Sequence, residues 1–102
     1  MHYYIYFLHS SELDKYYAGY SSDPWRRLEQ HLENTSDKYT GRAKDWQLKA
    51  VFCVSESKTE AIKAERFIKK QKSKNLILRL LDPGFIPDGN LAQLVRVPHI
   101  RD

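Results

Sequence analysis

Hydrophobic and polar positions divide the chain into short blocks of different period. Tyr3-Tyr4-Ile5-Tyr6-Phe7-Leu8 is an unbroken β-branched and aromatic run, which predicts a strand. Ser10 to Asp14 is polar and turn-like, and Lys15-Tyr16-Tyr17-Ala18-Gly19-Tyr20 predicts a second short strand. The two lie too close in sequence to run parallel, which takes a crossover of roughly a dozen residues or more, so they form an antiparallel hairpin. Asp23-Pro24 then opens a helix, with Asp23 as N-cap and Pro24 at the first helical position. Trp25, Leu28 and Leu32 give that helix an apolar stripe, and it runs to about Glu33. A polar loop with Gly41 follows from Asn34 to Asp45, and Leu48 to Val54 predicts a third strand. Ser57-Lys58-Thr59-Glu60 is a capping box that starts a second helix, running to about Lys72. Asn75 to Leu81 is a short apolar helical segment stopped by Asp82-Pro83-Gly84. Beyond Phe85 only Leu91 to Val97 has an ordered pattern.

The order β-β-α-β-α-α predicts an α+β fold: a three-stranded antiparallel sheet flanked by helices, the third strand pairing with the hairpin. Residues 1–82 carry this core, and residues 83–102 read as a C-terminal extension.

Composition narrows the picture. The 102 residues suffice for one domain. No apolar run approaches the ~18 residues of a membrane span, and the N-terminus lacks the pattern of a secretory signal. The single cysteine, Cys53, allows neither an internal disulfide nor a cysteine zinc cage, which points to the reducing cytoplasm. Of the net charge of +4, residues 58–79 carry eight Lys or Arg against two Glu, a surplus of six, while both flanking stretches are slightly acidic. A concentrated basic block suggests a polyanionic partner, with nucleic acid first; a solvated lysine-rich helix has the same composition.

Several residues could carry chemistry. Side chains alternate along a strand, so Tyr4 shares a face with Tyr6 and Tyr17 with Gly19. Gly19 leaves its backbone open to close approach. Tyrosines also simply fill β surfaces. Arg27 and His31, spaced i, i+4, project from one side of the first helix. Arginine suits a two-pronged phosphate contact, and histidine can move a proton near neutral pH. On the second helix Ala61, Ile62 and Ile68 share a face with Glu65, while Lys63, Arg66 and Lys70 lie opposite. A carboxylate on a core-facing stripe is costly unless partnered. Its partner is either Lys69, one turn on, or a single Mg²⁺ or Mn²⁺ ion completed by water and substrate phosphate.

Together these pieces resemble the GIY-YIG endonuclease family. The order is the family's: Tyr4-Ile5-Tyr6, ten residues, Tyr17-Ala18-Gly19, then Arg27, His31 and a glutamate, Glu65, on a helix after the third strand. Lys38-Tyr39-Thr40-Gly41 and Ala61 to Lys70 are similar to the small stand-alone bacterial members. Tyr4 and Ala18 depart from the family name at positions without chemistry. The resemblance implies metal-dependent hydrolysis of a phosphodiester in nucleic acid, DNA first. Glu65 would hold one Mg²⁺ or Mn²⁺ ion, and Tyr17 would help deprotonate the attacking water. Tyr6 and His31 would arrange that transfer, and Arg27 would steady charge on the phosphoryl group. Lys69 and Lys72, on the Glu65 side, and Lys63, Arg66 and Lys70, on the other, would draw in the nucleic-acid backbone. Two other classes stay open: a non-catalytic nucleic-acid-binding module, and a protein-interaction module docking through the tail.

Overall fold

Alternation along β1 (Tyr3–Ser10) organises the molecule. Ile5 and Phe7 point to one side of this strand and Tyr6 and Leu8 to the other, and all four are buried. The strand is therefore sandwiched between two apolar layers. The computed structural model describes residues 1–33 and 43–99. The Lys38–Gly41 segment lies outside them.

β2 (Lys15–Ser21) pairs antiparallel with one edge of β1, placing Gly19 opposite Tyr6 and Tyr17 opposite Leu8. β3 (Gln47–Ser55) pairs antiparallel with the other edge, as expected for the third strand. The hairpin turn is fastened from outside. Ser10 donates its hydroxyl to Asp45 Oδ1 at 2.6 Å, and the Glu12 amide donates to Oδ2 of the same carboxylate at 2.8 Å.

The three-stranded sheet expected from the sequence is corrected to four. β4 (Val95–Val97) adds antiparallel to the outer edge of β3, giving the order β2-β1-β3-β4. The physical reason is the open ladder that β3 would otherwise present along Val51 to Cys53. Arg96 holds the added strand in place. Its guanidinium lies 4.9 Å from the Phe52 ring centroid and donates to the carbonyls of Leu80 and Asp82. Leu91 and Leu94, from the stretch read as an extension, are buried in the core.

Helices cover both faces. α1 (Pro24–Glu33) lays Trp25, Leu28 and Leu32 on the Tyr6 and Leu8 face, joined by Ala43 and Trp46. Its start is capped as expected, the Arg26 amide donating to Asp23 Oδ1 at 3.2 Å. α2 (Lys58–Gln71) and α3 (Lys74–Leu81) cover the Ile5 and Phe7 face with Ala61, Ala64, Ile68 and Leu80. Only half of the expected capping box forms. Ser57 Oγ accepts from the Glu60 amide at 3.3 Å, but the Ser57 amide donates to Ser55 Oγ, and the Glu60 carboxylate sits 3.7 Å from Lys63. α2 ends where Lys72 turns into the left-handed region at φ 48°, and Ser73 caps α3 immediately afterwards. No described helix is long and apolar enough to cross a membrane.

Candidate active site

The phenol of Tyr6 is the centre of the site. Its strand position turns it towards α1, where its hydroxyl and His31 Nε2 share a hydrogen bond of 3.0 Å. Both residues are buried, at 1% and 3% exposure. The imidazole tautomer sets the direction of that bond. Tyr17, from β2, completes an aromatic cluster: its ring centroid is 5.0 Å from His31 and 6.3 Å from Tyr6. Burial raises the Tyr6 pKa well above the ordinary phenol value. Tyr17 pushes it the same way, Arg27 opposes, and Glu65 adds to the rise. Tyr17, Arg27 and Glu65 thus all act on the Tyr6 hydroxyl of β1, although they come from β2, α1 and α2.

Gly19 explains how Tyr6 fits. The sequence left the group approaching this backbone open; it is Tyr6 itself. A Cβ built on Gly19 would lie 2.6 Å from Tyr6 Oη and 2.7 Å from Cζ. The missing side chain is what lets the Tyr6 ring lie flat across the neighbouring strand.

Glu65 lies on the margin of the buried stripe. The stripe itself is Ala61, Ala64 and Ile68, with Ile62 only partly buried. The Glu65 side chain keeps 17% exposure, and its carboxylate lies 3.4 Å from Lys69 Nζ. That ammonium also lies 5.2 Å from the Tyr17 ring centroid. Arg27 is partly buried; its Nη1 donates to Gln30 Oε1 at 3.0 Å, and its guanidinium also hydrogen-bonds the Tyr6 phenol. Among the described residues no three His, Cys, Asp or Glu side chains gather to cage a metal. A single carboxylate that keeps some solvent access still suits a hard divalent ion that retains most of its water.

The basic residues separate. Lys69 and Lys72 line a groove that includes Tyr17, whereas Lys63 lines a different recess with Glu60, Phe67 and Gly89. Arg66 and Lys70 are exposed on α2. Three further lining residues of the Tyr17 groove, Lys15, Tyr16 and Lys74, were not picked out as site residues from the sequence. The signal available was the Lys72-Ser73-Lys74 triplet, where a helix N-cap stands between two lysines.

Comparison with known proteins places this constellation. The GIY-YIG catalytic domain family matches residues 2–77, a segment that contains every residue of the cluster. A UPF0213 protein of Limosilactobacillus reuteri is 34% identical over 83 residues, covering 80% of this chain and 85% of that protein. The chain therefore belongs to the GIY-YIG family and carries the family's nuclease-type catalytic domain.

Proposed function

We propose that the chain is a divalent-metal-dependent endonuclease that hydrolyses phosphodiester bonds in nucleic acid, with DNA as its substrate. The observation that carries this reading is the buried Tyr6 hydroxyl, bonded to His31 and within electrostatic reach of Tyr17, Arg27 and Glu65. A protein that only bound a polyanion would gain nothing from a carboxylate set among these cations.

In this reading Tyr17 takes the proton of the attacking water as its own phenolic proton passes to His31. Tyr6, kept protonated by burial, orients His31 and is not itself the base. Arg27 faces the phosphoryl oxygens, where its planar fork meets charge that grows in the transition state. Glu65 would hold the Mg²⁺ or Mn²⁺ ion, leaving room for water and substrate phosphate as further ligands. When bound, such an ion polarises the phosphate and stabilises the leaving oxygen. Lys69, paired with Glu65 at 3.4 Å, would be free to meet a substrate phosphate when the ion is bound.

A second reading, a non-catalytic nucleic-acid-binding module, is favoured by one observation: Glu65 already has a cationic partner in Lys69 at 3.4 Å. One experiment separates the two. Single-stranded, duplex and branched DNA and RNA are incubated with Mg²⁺ or Mn²⁺ and either the wild type or Glu65→Gln, which keeps the volume and removes the charge. Metal-supported cleavage that vanishes in the variant supports the nuclease. Binding without cleavage, equal in both proteins, supports the module.

A further inference from the structure

Beside Tyr17, a groove of about 760 Å³ opens between the start of β2 and the α2–α3 turn. Lys15, Lys69, Lys72 and Lys74 line it. Its carboxylate, Asp14, is already engaged, 3.2 Å from His9 Nε2 and 3.8 Å from Lys74 Nζ. Apart from these charges and Ser73 its lining is apolar and aromatic, with Ile68 and Ile77 beside the rings of Tyr16 and Tyr17.

The combination selects an occupant. The outside of a duplex offers phosphates and sugars, which call for charge alone. An unpaired base offers a π-face, which calls for aromatic and apolar surface within a cationic border. This groove has both. Lys72, on that border, adopts the left-handed conformation at φ 48°, ψ 37°, where glycine is the usual helix-ending residue. The chain thus carries an ammonium group at a position whose backbone favours no side chain. α3 begins at the same point, and the positive end of its dipole adds to the field. Tyr17 and Lys69 belong both to this groove and to the candidate active site, so the two are continuous.

We propose that this groove is the subsite for an unpaired nucleotide beside the phosphodiester that is cut. Its base displaces the Lys74 ammonium, 5.9 Å from the Tyr16 ring centroid, and lies beside Tyr16 and Ile77, while its phosphates meet Lys15, Lys72 and the displaced Lys74. The substrate strand is single-stranded on that side. The position of the cut rests on the nuclease reading; the preference for an unpaired nucleotide does not.

The test is binding, read by fluorescence anisotropy with EDTA present so that no cleavage intervenes. The probes are labelled oligothymidylate, oligouridylate and a blunt DNA duplex of the same length. At least one single strand is expected to bind about tenfold or more tightly than the duplex. Tyr16→Ala should weaken single-strand binding roughly five- to a hundred-fold, the effect of losing one stacked base, while duplex binding moves by less than about twofold. Tyr16 packs against His9, with ring centroids 4.4 Å apart, so its loss can also unsettle the hairpin. The surface pair Lys15→Ala and Lys74→Ala is therefore measured too. It should reduce the single-strand salt slope by about 1.4, two contacts at ~0.7 each. Duplex bound as tightly as both single strands, or variants that weaken all probes equally, would overturn the subsite. The two readings fail separately. Cleavage of blunt duplex without single-strand preference removes the subsite and leaves the nuclease. Single-strand preference with no cleavage of any substrate removes the nuclease and leaves the subsite.

Discussion

The Tyr6 hydroxyl and His31 Nε2 meet at 3.0 Å, each buried, from positions 25 residues apart in the chain. The contact ties α1 to the central strand and puts a proton-carrying pair at the edge where Tyr17 enters. Tyr6→Phe keeps the ring and removes the bond. Loss of a buried hydrogen bond costs about 1–2 kcal/mol, and loss of an oriented proton relay costs about 10²–10⁴ in rate. We expect a folded variant, a modest fall in urea midpoint and a large fall in turnover. Turnover within about threefold of wild type would confine Tyr6 to a packing role.

The same phenol gives a pH signature. Burial, with Tyr17 next, raises its pKa in the folded state above the value near 10 that it has in the unfolded chain. The folded protein then keeps a proton that the unfolded chain releases. Tyr6's contribution is fully present below about pH 10 and is lost as pH rises beyond it, by at most about 1.4 kcal/mol per pH unit. Urea midpoints at mildly and strongly alkaline pH should diverge more for wild type than for Tyr6→Phe. Equal divergence would mean that other groups govern alkaline stability.

Gly19→Ala tests the seat of that ring. The new methyl would sit 2.6 Å from Tyr6 Oη, against a side chain that is 1% exposed and cannot swing away freely. Overpacking of this kind costs about 1–3 kcal/mol, a Tm loss of roughly 4–20 °C at this chain length. The hydroxyl must also leave His31, so turnover should fall even at temperatures where the variant is fully folded. A variant with wild-type Tm and turnover would show that the ring has room to move.

The strands and helices were legible because each carries a local signal. Tyr3 to Leu8 is β-branched and aromatic, Asp23-Pro24 is a helix start, and Ser57 is a cap. β4 was not, because Val95-Arg96-Val97 is too short to show a period and its pairing is decided by β3. Arg96 reads as a surface residue until Phe52 and two helix-end carbonyls are found around it. The members of the candidate site could be named from sequence order, but the Tyr6–His31 bond and the filling of the space above Gly19 depend on strand register. The groove beside Tyr17 was hidden for a similar reason: it exists only where the left-handed turn at Lys72 brings α3 beside the start of β2.

Arg27→Lys separates shape from charge. Arg27 donates to Gln30 through Nη1 at 3.0 Å and also acts on the Tyr6 phenol, and the five donors of its planar fork can keep such contacts while meeting phosphoryl oxygens. Lysine keeps the charge but can satisfy only one of these partners at a time. We expect turnover to drop about 10²–10³-fold, the usual effect of losing one oriented transition-state donor, with nucleic-acid affinity nearly unchanged. Full turnover in the variant would reduce Arg27 to a rim cation.

The final prediction divides the lysines of α2 by position. Lys69 and Lys72 lie on the groove shared with Tyr17, while Lys63 lies in another recess, 3.7 Å from Glu60. Lys70 is exposed, and the sequence sets it on the Lys63 side of the helix. A strand that reaches the candidate site can therefore release counterions from the first pair but not readily from the second. At a slope near −0.9 per duplex phosphate contact, Lys69→Ala with Lys72→Ala should flatten the plot of log affinity against log salt by about 1.8. Lys63→Ala with Lys70→Ala should flatten it by less than about half as much. With roughly two to four contacts from this helix, the wild type should lose between about tenfold and somewhat over a hundredfold in affinity across a fourfold rise in salt. Equal slopes for the two double variants would mean that nucleic acid does not approach along the Tyr17 side. A binding curve indifferent to salt would remove the electrostatic argument altogether and turn the search to protein partners.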